Sequence, residues 1–168
     1  FKDGFDAFAA NSGKIDMQFT NGRLYVDDVM FNVQAGSGEI RANEDEKYNG
    51  TVLVGSQGDD ALYSGKGNDL MIGGAGKDTF VFGNSFGHDT IVGSSSEDVI
   101  RFVNDFNAQE YSISQKHDDL VITYQQTGMT TESSITISDW YTASDRIDTV
   151  QFGNGAYSIS NGSFQKQA

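Results

Sequence analysis

Apolar and polar residues alternate at both ends of this chain and fall into a nine-residue rhythm in its middle. Near the start, KIDMQFT sets Ile15, Met17 and Phe19 on one face, Asn21-Gly22 follows, and RLYVDDVMFNV resumes the alternation. Strict alternation predicts half-buried strands, and Asn-Gly between two such runs predicts a tight hairpin. The opening FKDGFDAFAA fits a short helix or an irregular lead-in equally well. Beyond residue 101, the segments YSIS, DLVITY, SITISDW, IDTVQF and AYSIS read as five strands, connected in part by QQTGMTTESS and by Asn154-Gly155. With no sustained helical period anywhere, the expected class is all-β. Texture divides the chain into a β-rich flank (1–45), a repeat block (46–101) and a β-rich capping segment (102–168).

The repeat is plainest in three consecutive blocks, GSQGDDALY (55–63), SGKGNDLMI (64–72) and GGAGKDTFV (73–81). Each has glycine fourth, aspartate sixth (Asp60, Asp69, Asp78) and a large apolar residue eighth (Leu62, Met71, Phe80). Skipping Phe82-Gly83, the register continues through NSFGHDTIV (84–92) with Gly87, Asp89 and Ile91. It continues in GSSSEDVIR (93–101) with Asp98 and Ile100, where Ser96 replaces the fourth glycine. Backwards, EKYNGTVLV (46–54) keeps Leu53 eighth but has Thr51 sixth. A fixed short period of this kind predicts stacked units, none of which can bury its apolar residue alone.

Composition sharpens this picture. Of 24 acidic residues among 168, 18 are Asp and 6 are Glu, and 11 of the 20 glycines lie between Gly50 and Gly93. Asp favours turns over helices because its carboxylate competes for backbone hydrogen bonds. The formal net charge of −13 opposes nucleic acid and anionic membrane as partners. No apolar run reaches the length of a membrane-spanning helix, so direct membrane insertion is not expected. With no cysteine, disulfides, thiolate zinc sites and a cysteine nucleophile are excluded. No basic-then-apolar leader opens the chain, which reads as a piece of a longer protein.

Clustered glycines let the backbone curl tightly and turn carbonyl oxygens inward, and an aspartate closing the curl adds a carboxylate. Several neutral oxygens with a few carboxylates suit calcium. The blocks resemble the RTX (repeats-in-toxin) nonapeptide, GGxGxDxUx with U a large apolar residue, most closely at Gly73–Val81. The likeness extends over roughly residues 46–157. It implies a parallel β-roll, two repeats per coil, flanked here by antiparallel strands, with each Ca2+ between turns two repeats apart. On that pattern Asp60 shares an ion with Asp78, Asp69 with Asp89, and Asp78 with Asp98. The earlier turn lends the carbonyls of its first and third residues, the later one those of its second and fourth. This nominates Gly55 and Gln57 with Gly74 and Gly76; Ser64 and Lys66 with Ser85 and Gly87; Gly73 and Ala75 with Ser94 and Ser96. Counting a partial site near Thr51, Gly65 and Gly67, two to four ions are expected.

Other readings are weaker. GGAGKDT superficially resembles a phosphate-binding loop, but Asp78 stands where Ser or Thr must follow the lysine. His88 and His117 lack partners for a catalytic triad. Asp27-Asp28 and Asp118-Asp119 are adjacent on presumed strands and point to opposite faces. A disordered linker would not place large apolar residues in register. Trp140-Tyr141 would serve as a core cap or as a sugar-stacking platform. The resemblance therefore implies a non-enzymatic, calcium-folded module of a secreted bacterial adhesin or toxin, exported by type I secretion machinery. The alternatives are a glycan- or peptide-binding module on the cell surface, or a targeting module attached to a secreted protease, lipase or alginate epimerase.

Overall fold

The computed structural model of the protein describes residues 23–26, 29–42, 50–103, 108–124, 132–160 and 162–168. The expected lead-in, the Asn21-Gly22 hairpin and the start of block 46–54 lie outside them, as does most of QQTGMTTESS. Apart from a 3-10 turn at Ala108–Glu110, the described elements are strands. They are β1 (Arg23–Val26), β2 (Val29–Ala35), β3 (Glu39–Arg41), β4 (Thr51–Val54), β5 (Ala61–Tyr63), β6 (Leu70–Ile72), β7 (Thr79–Phe82) and β8 (His88–Ile91). Then follow β9 (Val99–Phe102), β10 (Tyr111–Lys116), β11 (Asp119–Tyr124), β12 (Ser133–Ile137), β13 (Thr149–Phe152), β14 (Gly155–Ser160) and β15 (Ser163–Lys166).

Successive repeat strands go alternately to two sheets, so one coil consists of two nonapeptides. The first sheet runs β1-β2-β4-β6-β8-β12-β11-β10, the second β15-β14-β13-β9-β7-β5-β3. Within the coils all pairing is parallel, and equal positions face one another: Leu53, Met71 and Ile91 in one sheet, Leu62, Phe80 and Ile100 in the other. A three-residue strand can aim only its middle side chain inward. Accordingly these six eighth-position residues are completely buried between the sheets. The fold is the expected all-β parallel roll with antiparallel strands at its end.

The parallel sheets run past both ends of the visible repeats. At one end β2 pairs with β4 and β3 with β5; at the other β12 pairs with β8 and β13 with β9. The changes of texture near residues 45 and 101 are thus not breaks in the sheets. Residues 36–41, GSGEIR, form a shortened repeat. Ala35 pairs with Val54, and the Gly36 amide donates to the Val54 carbonyl as the Gly55 amide does to that of Ile72. Three turn residues are thus missing before Gly38, which stands in the aspartate place, and Ile40 stands eighth. Ile40 is buried opposite Leu62. The final coil is hidden in sequence because the β10–β11 hairpin is inserted before it. Its β12 carries Ile135 where the aspartate would stand, in register with Asp89. RLYVDDVMFNV is not one strand: β1 and β2 pair antiparallel, with Val26 opposite Val29.

Phe82, skipped in the repeat register, is no surface insertion. It lengthens β7 by one residue, and it packs with Phe86, Phe102, Tyr111, Tyr124 and Phe152 in an aromatic cluster that closes the roll. All five predicted C-terminal strands are present as β10–β14, with β15 added. Trp140 is buried; its indole N–H donates to the Ile147 carbonyl at 2.6 Å and Arg146 covers its ring. The residue is a core cap and offers no sugar platform.

Candidate metal centre

Stacking places equivalent turn residues two repeats apart on top of one another. A Cβ on Gly55 would lie 2.0 Å from the Gly73 carbonyl oxygen, and one on Gly74 would lie 2.0 Å from that of Ser56. At these two positions the turns touch through backbone, with no room for a side chain between them. Along each edge of the roll the aspartates form a ladder. The Asp60 amide donates to Asp78 Oδ1 at 2.9 Å, the Asp78 amide to Asp98 at 2.8 Å, and the Asp69 amide to Asp89 at 2.7 Å. Gly38 and Thr51 supply the matching amides to Asp60 and Asp69, filling the places where the repeats lack an aspartate.

The second carboxylate oxygens divide the five aspartates into two kinds. Asp60 Oδ2 accepts from the Ser56 amide and hydroxyl, Asp69 Oδ2 from the Gly65 amide, and Asp98 Oδ2 from the Ser95 amide. Asp78 Oδ2 and Asp89 Oδ2 are buried without any hydrogen-bond partner. The cause lies in the backbone: Gly74 and Gly76 (φ 108° and 107°), and Ser85 and Gly87 (φ 58° and 75°), are left-handed. Residues 55–60 and 64–69 contain no positive φ, and residues 93–98 only that of Gly93. Left-handed Ser85 costs about 1–2 kcal/mol, which marks its turn as held in a special shape.

Electrostatics follow the same division. Burial raises the Asp60 carboxyl, but its amide and hydroxyl donors outweigh this and hold it below the usual value. Burial drives Asp78 up to about 6, against the lowering effect of the Asp60 amide, with Asp98, Asp60 and Asp59 adding repulsion. Burial likewise drives Asp89 up to about 9, opposed by the Asp69 amide and reinforced by the Asp69 charge; the nearby Ser64 hydroxyl offsets part of it. An unpaired buried carboxyl either keeps its proton or, once ionised, is stabilised by a cation.

Among the described residues no group of three His, Cys, Asp or Glu side chains could hold a metal ion. A cation here would be held mainly by backbone carbonyls. Among the described residues, the backbone hydrogen bonds between turns 55–60 and 73–78 use the carbonyls of Ser56 and Asp60. Those of Gly55, Gln57, Gly74 and Gly76 remain for an ion beside Asp60 and Asp78. Between turns 64–69 and 84–89, the carbonyls of Ser64, Lys66 and Ser85 remain, but that of Gly87 accepts the Ser134 amide of β12. The donor set, neutral oxygens with two carboxylates, fits Ca2+ and is ill suited to softer metals.

The turn nominated for a third ion differs. Ser95 and Asp98 close it on themselves, and the Ser96 amide donates to Asp145 at 2.7 Å. Gly73 and Ala75 meet there a turn whose Ser94 and Ser96 lack the left-handed shape. Asp145, which sequence reasoning missed, reaches this turn from the loop before β13; its hydrogen bonds from Ser96 lower its carboxyl. Nothing in its local sequence signals that role. Gly65 and Gly67, nominated with Thr51 for a partial site, also lack positive φ. His88 is exposed, its Nδ1 2.8 Å from the Ser134 hydroxyl, and His117 is exposed with φ 58°.

The RTX calcium-binding nonapeptide repeat family matches residues 50–84 and 85–101 in four copies. The centre of this chain is therefore an RTX calcium-binding repeat block. No curated protein matches the sequence. Among solved structures, the extracellular lipase LipA from Serratia marcescens is similar in fold, with a TM-score of 0.52 at 15% sequence identity. The match covers 77% of this chain and 20% of the lipase.

Proposed function

We propose that this chain is a calcium-folded module of a larger secreted bacterial protein, holding two ions between its stacked turns. The observation that carries the reading is the pair of buried, unpartnered oxygens, Asp78 Oδ2 and Asp89 Oδ2, in the two turns with left-handed second and fourth residues. Gly55, Gln57, Gly74 and Gly76 with Asp60 and Asp78 hold one ion; Ser64, Lys66 and Ser85 with Asp69 and Asp89 hold the other. Bound Ca2+ supplies positive charge and coordination to oxygens that the fold has already desolvated. The chain's part is to present those oxygens and to exclude water around them. Two ions reduce the formal net charge from −13 to −9, easing self-repulsion in the coil.

Such a module crosses a narrow secretion channel unfolded, where calcium is scarce, and folds outside, where it is about millimolar. For a site with Kd near 0.1 mM, linkage at about 1 mM gives roughly 1.4 kcal/mol per ion. Export by type I machinery and membership of an adhesin or toxin belong to this reading. The chain itself works by binding, without catalysis. A module attached to a secreted enzyme is the second reading, favoured by the fold of the Serratia lipase. Circular dichroism during a calcium titration tests the function. The β spectrum should grow with calcium at neutral pH, and magnesium should substitute poorly because it demands a compact octahedron. A full β spectrum in calcium-free buffer, unchanged by millimolar calcium, would sink it.

A further inference from the structure

The two ion sites are built differently, and the difference centres on Ser64. This residue occupies the first position of its turn, where Gly55 and Gly73 stand in the neighbouring repeats. At Gly73 a Cβ would fall 2.2 Å from Asp78 Oδ2, and at Gly55 2.0 Å from the Gly73 carbonyl oxygen. Ser64 nevertheless carries a side chain there, because β7 continues one residue further than β5. Its amide bonds the Val81 carbonyl at 3.0 Å, and the residue next in register is Phe82, still in strand, rather than a turn glycine. The Phe82-Gly83 insertion thus makes the space that the serine fills.

Ser64 Oγ and Asp89 Oδ2 are both buried and make no hydrogen bond of normal length and angle, yet the hydroxyl lies close enough to Asp89 to lower its carboxyl by weak hydrogen bonding. A serine hydroxyl rotates freely toward a carboxylate within reach, so two buried oxygens this near without a normal hydrogen bond stand far enough apart to share a cation between them. The same site is the one that has surrendered a carbonyl: Gly87 O is taken by the Ser134 amide at 2.9 Å, where β12 docks on β8. The site at Asp60 and Asp78 has lost nothing and has glycine in the first position.

We infer that the Ser64 hydroxyl is a direct ligand of the ion at Asp69 and Asp89, standing in for the carbonyl of Gly87. The insertion, the serine and the docking of β12 are then one coordinated change, which lets the repeat array end on a β hairpin without losing its last ion. The inference rests on the calcium reading above, and the wild-type titration tests that reading separately.

The test compares the wild-type chain with Ser64→Ala and Ser64→Thr, using calcium calorimetry and europium luminescence lifetimes in H2O and D2O. Wild type should bind two ions. Ser64→Ala should keep both but weaken one about tenfold, in the range typical of losing a group that orders a metal site. Europium at that site should gain about one bound water, since a vacated oxygen position is refilled by solvent. Ser64→Thr, which keeps the hydroxyl, should restore affinity and water count. Unchanged affinities and water counts in Ser64→Ala would overturn the inference. So would an equal weakening of both sites, which would make Ser64 a packing residue. A wild type that binds no calcium would instead overturn the function itself.

Discussion

Withdrawing calcium from the folded roll at neutral pH leaves two carboxyls in the wrong place for their charge. Asp78, raised to about 6, must ionise in a buried site at pH 7.5; Asp89, raised to about 9, must instead stay protonated. Both folded values exceed the unfolded 3.8, so the folded chain binds protons more tightly, and stability falls as pH rises from about 4 through each folded value. At about 1.4 kcal/mol per pH unit, the cost at pH 7.5 is on the order of 3 kcal/mol for Asp78 and 5 kcal/mol for Asp89. Their sum rivals the whole stability of a domain, roughly 5–15 kcal/mol. At pH 4.5 each cost shrinks to about 1 kcal/mol. Asp60 and Asp145, held low, weaken the fold only below about pH 4, outside this window. Urea denaturation followed by circular dichroism, in resin-treated calcium-free buffer, should therefore give a higher midpoint at pH 4.5 than at pH 7.5. Asp89→Asn, isosteric and neutral, should be more stable than wild type without calcium at pH 7.5, yet gain less from calcium. A calcium-free midpoint that is flat or rises between pH 4.5 and 7.5 would refute the reasoning, as would an Asp89→Asn chain weaker than wild type there.

Calcium binding at pH 7.5 should release about one proton per chain, from Asp89, measurable as a dependence of the calorimetric heat on the buffer's ionisation enthalpy; no release would place Asp89 outside the site. Phe80→Ala should destabilise the calcium-bound roll by about 3–5 kcal/mol, whereas Lys77→Ala, whose side chain is exposed, should leave the urea midpoint nearly unchanged. Gly73→Ala, whose methyl would fall on Asp78 Oδ2, should abolish binding at Asp60 and Asp78 in a calcium titration while the second ion is retained.

The repeats made the roll legible because two periods are written in the same residues. Position eight carries the core and position six the carboxylate, so reading Asp60, Asp69 and Asp78 in register also places Leu62, Met71 and Phe80 between the sheets. What escaped was structure whose signal is not periodic. Residues 36–41 lack both the aspartate and three turn residues, and Gly38 offers only its amide to Asp60. The last coil, β12 and β13, stacks on β8 and β9 only after the intervening β10–β11 hairpin, a pairing that local patterns do not encode. Phe86, in a position where Gln57, Lys66 and Ala75 are exposed, is buried by the aromatic cluster at the roll's end. The difference between the turns was illegible for a related reason. Gly58 and Gly67 have the same place in the repeat as Gly76 and Gly87, yet only the latter two are left-handed. Glycine permits that conformation without specifying it.

The number of bound ions follows from which turns keep carbonyls and a carboxylate oxygen unpaired. Calorimetric titration of wild type, Asp78→Ala, Asp98→Ala and Asp119→Ala at pH 7.5 measures it directly. Wild type should take up two calcium ions. Asp98→Ala and Asp119→Ala should keep two, because the turn at 93–98 is closed by its own hydrogen bonds and Asp119 Oδ1 merely accepts the exposed Asp139 amide. Asp78→Ala should keep no more than one. Three ions in wild type with one lost in Asp98→Ala, or equal losses in Asp78→Ala and Asp119→Ala, would contradict the assignment.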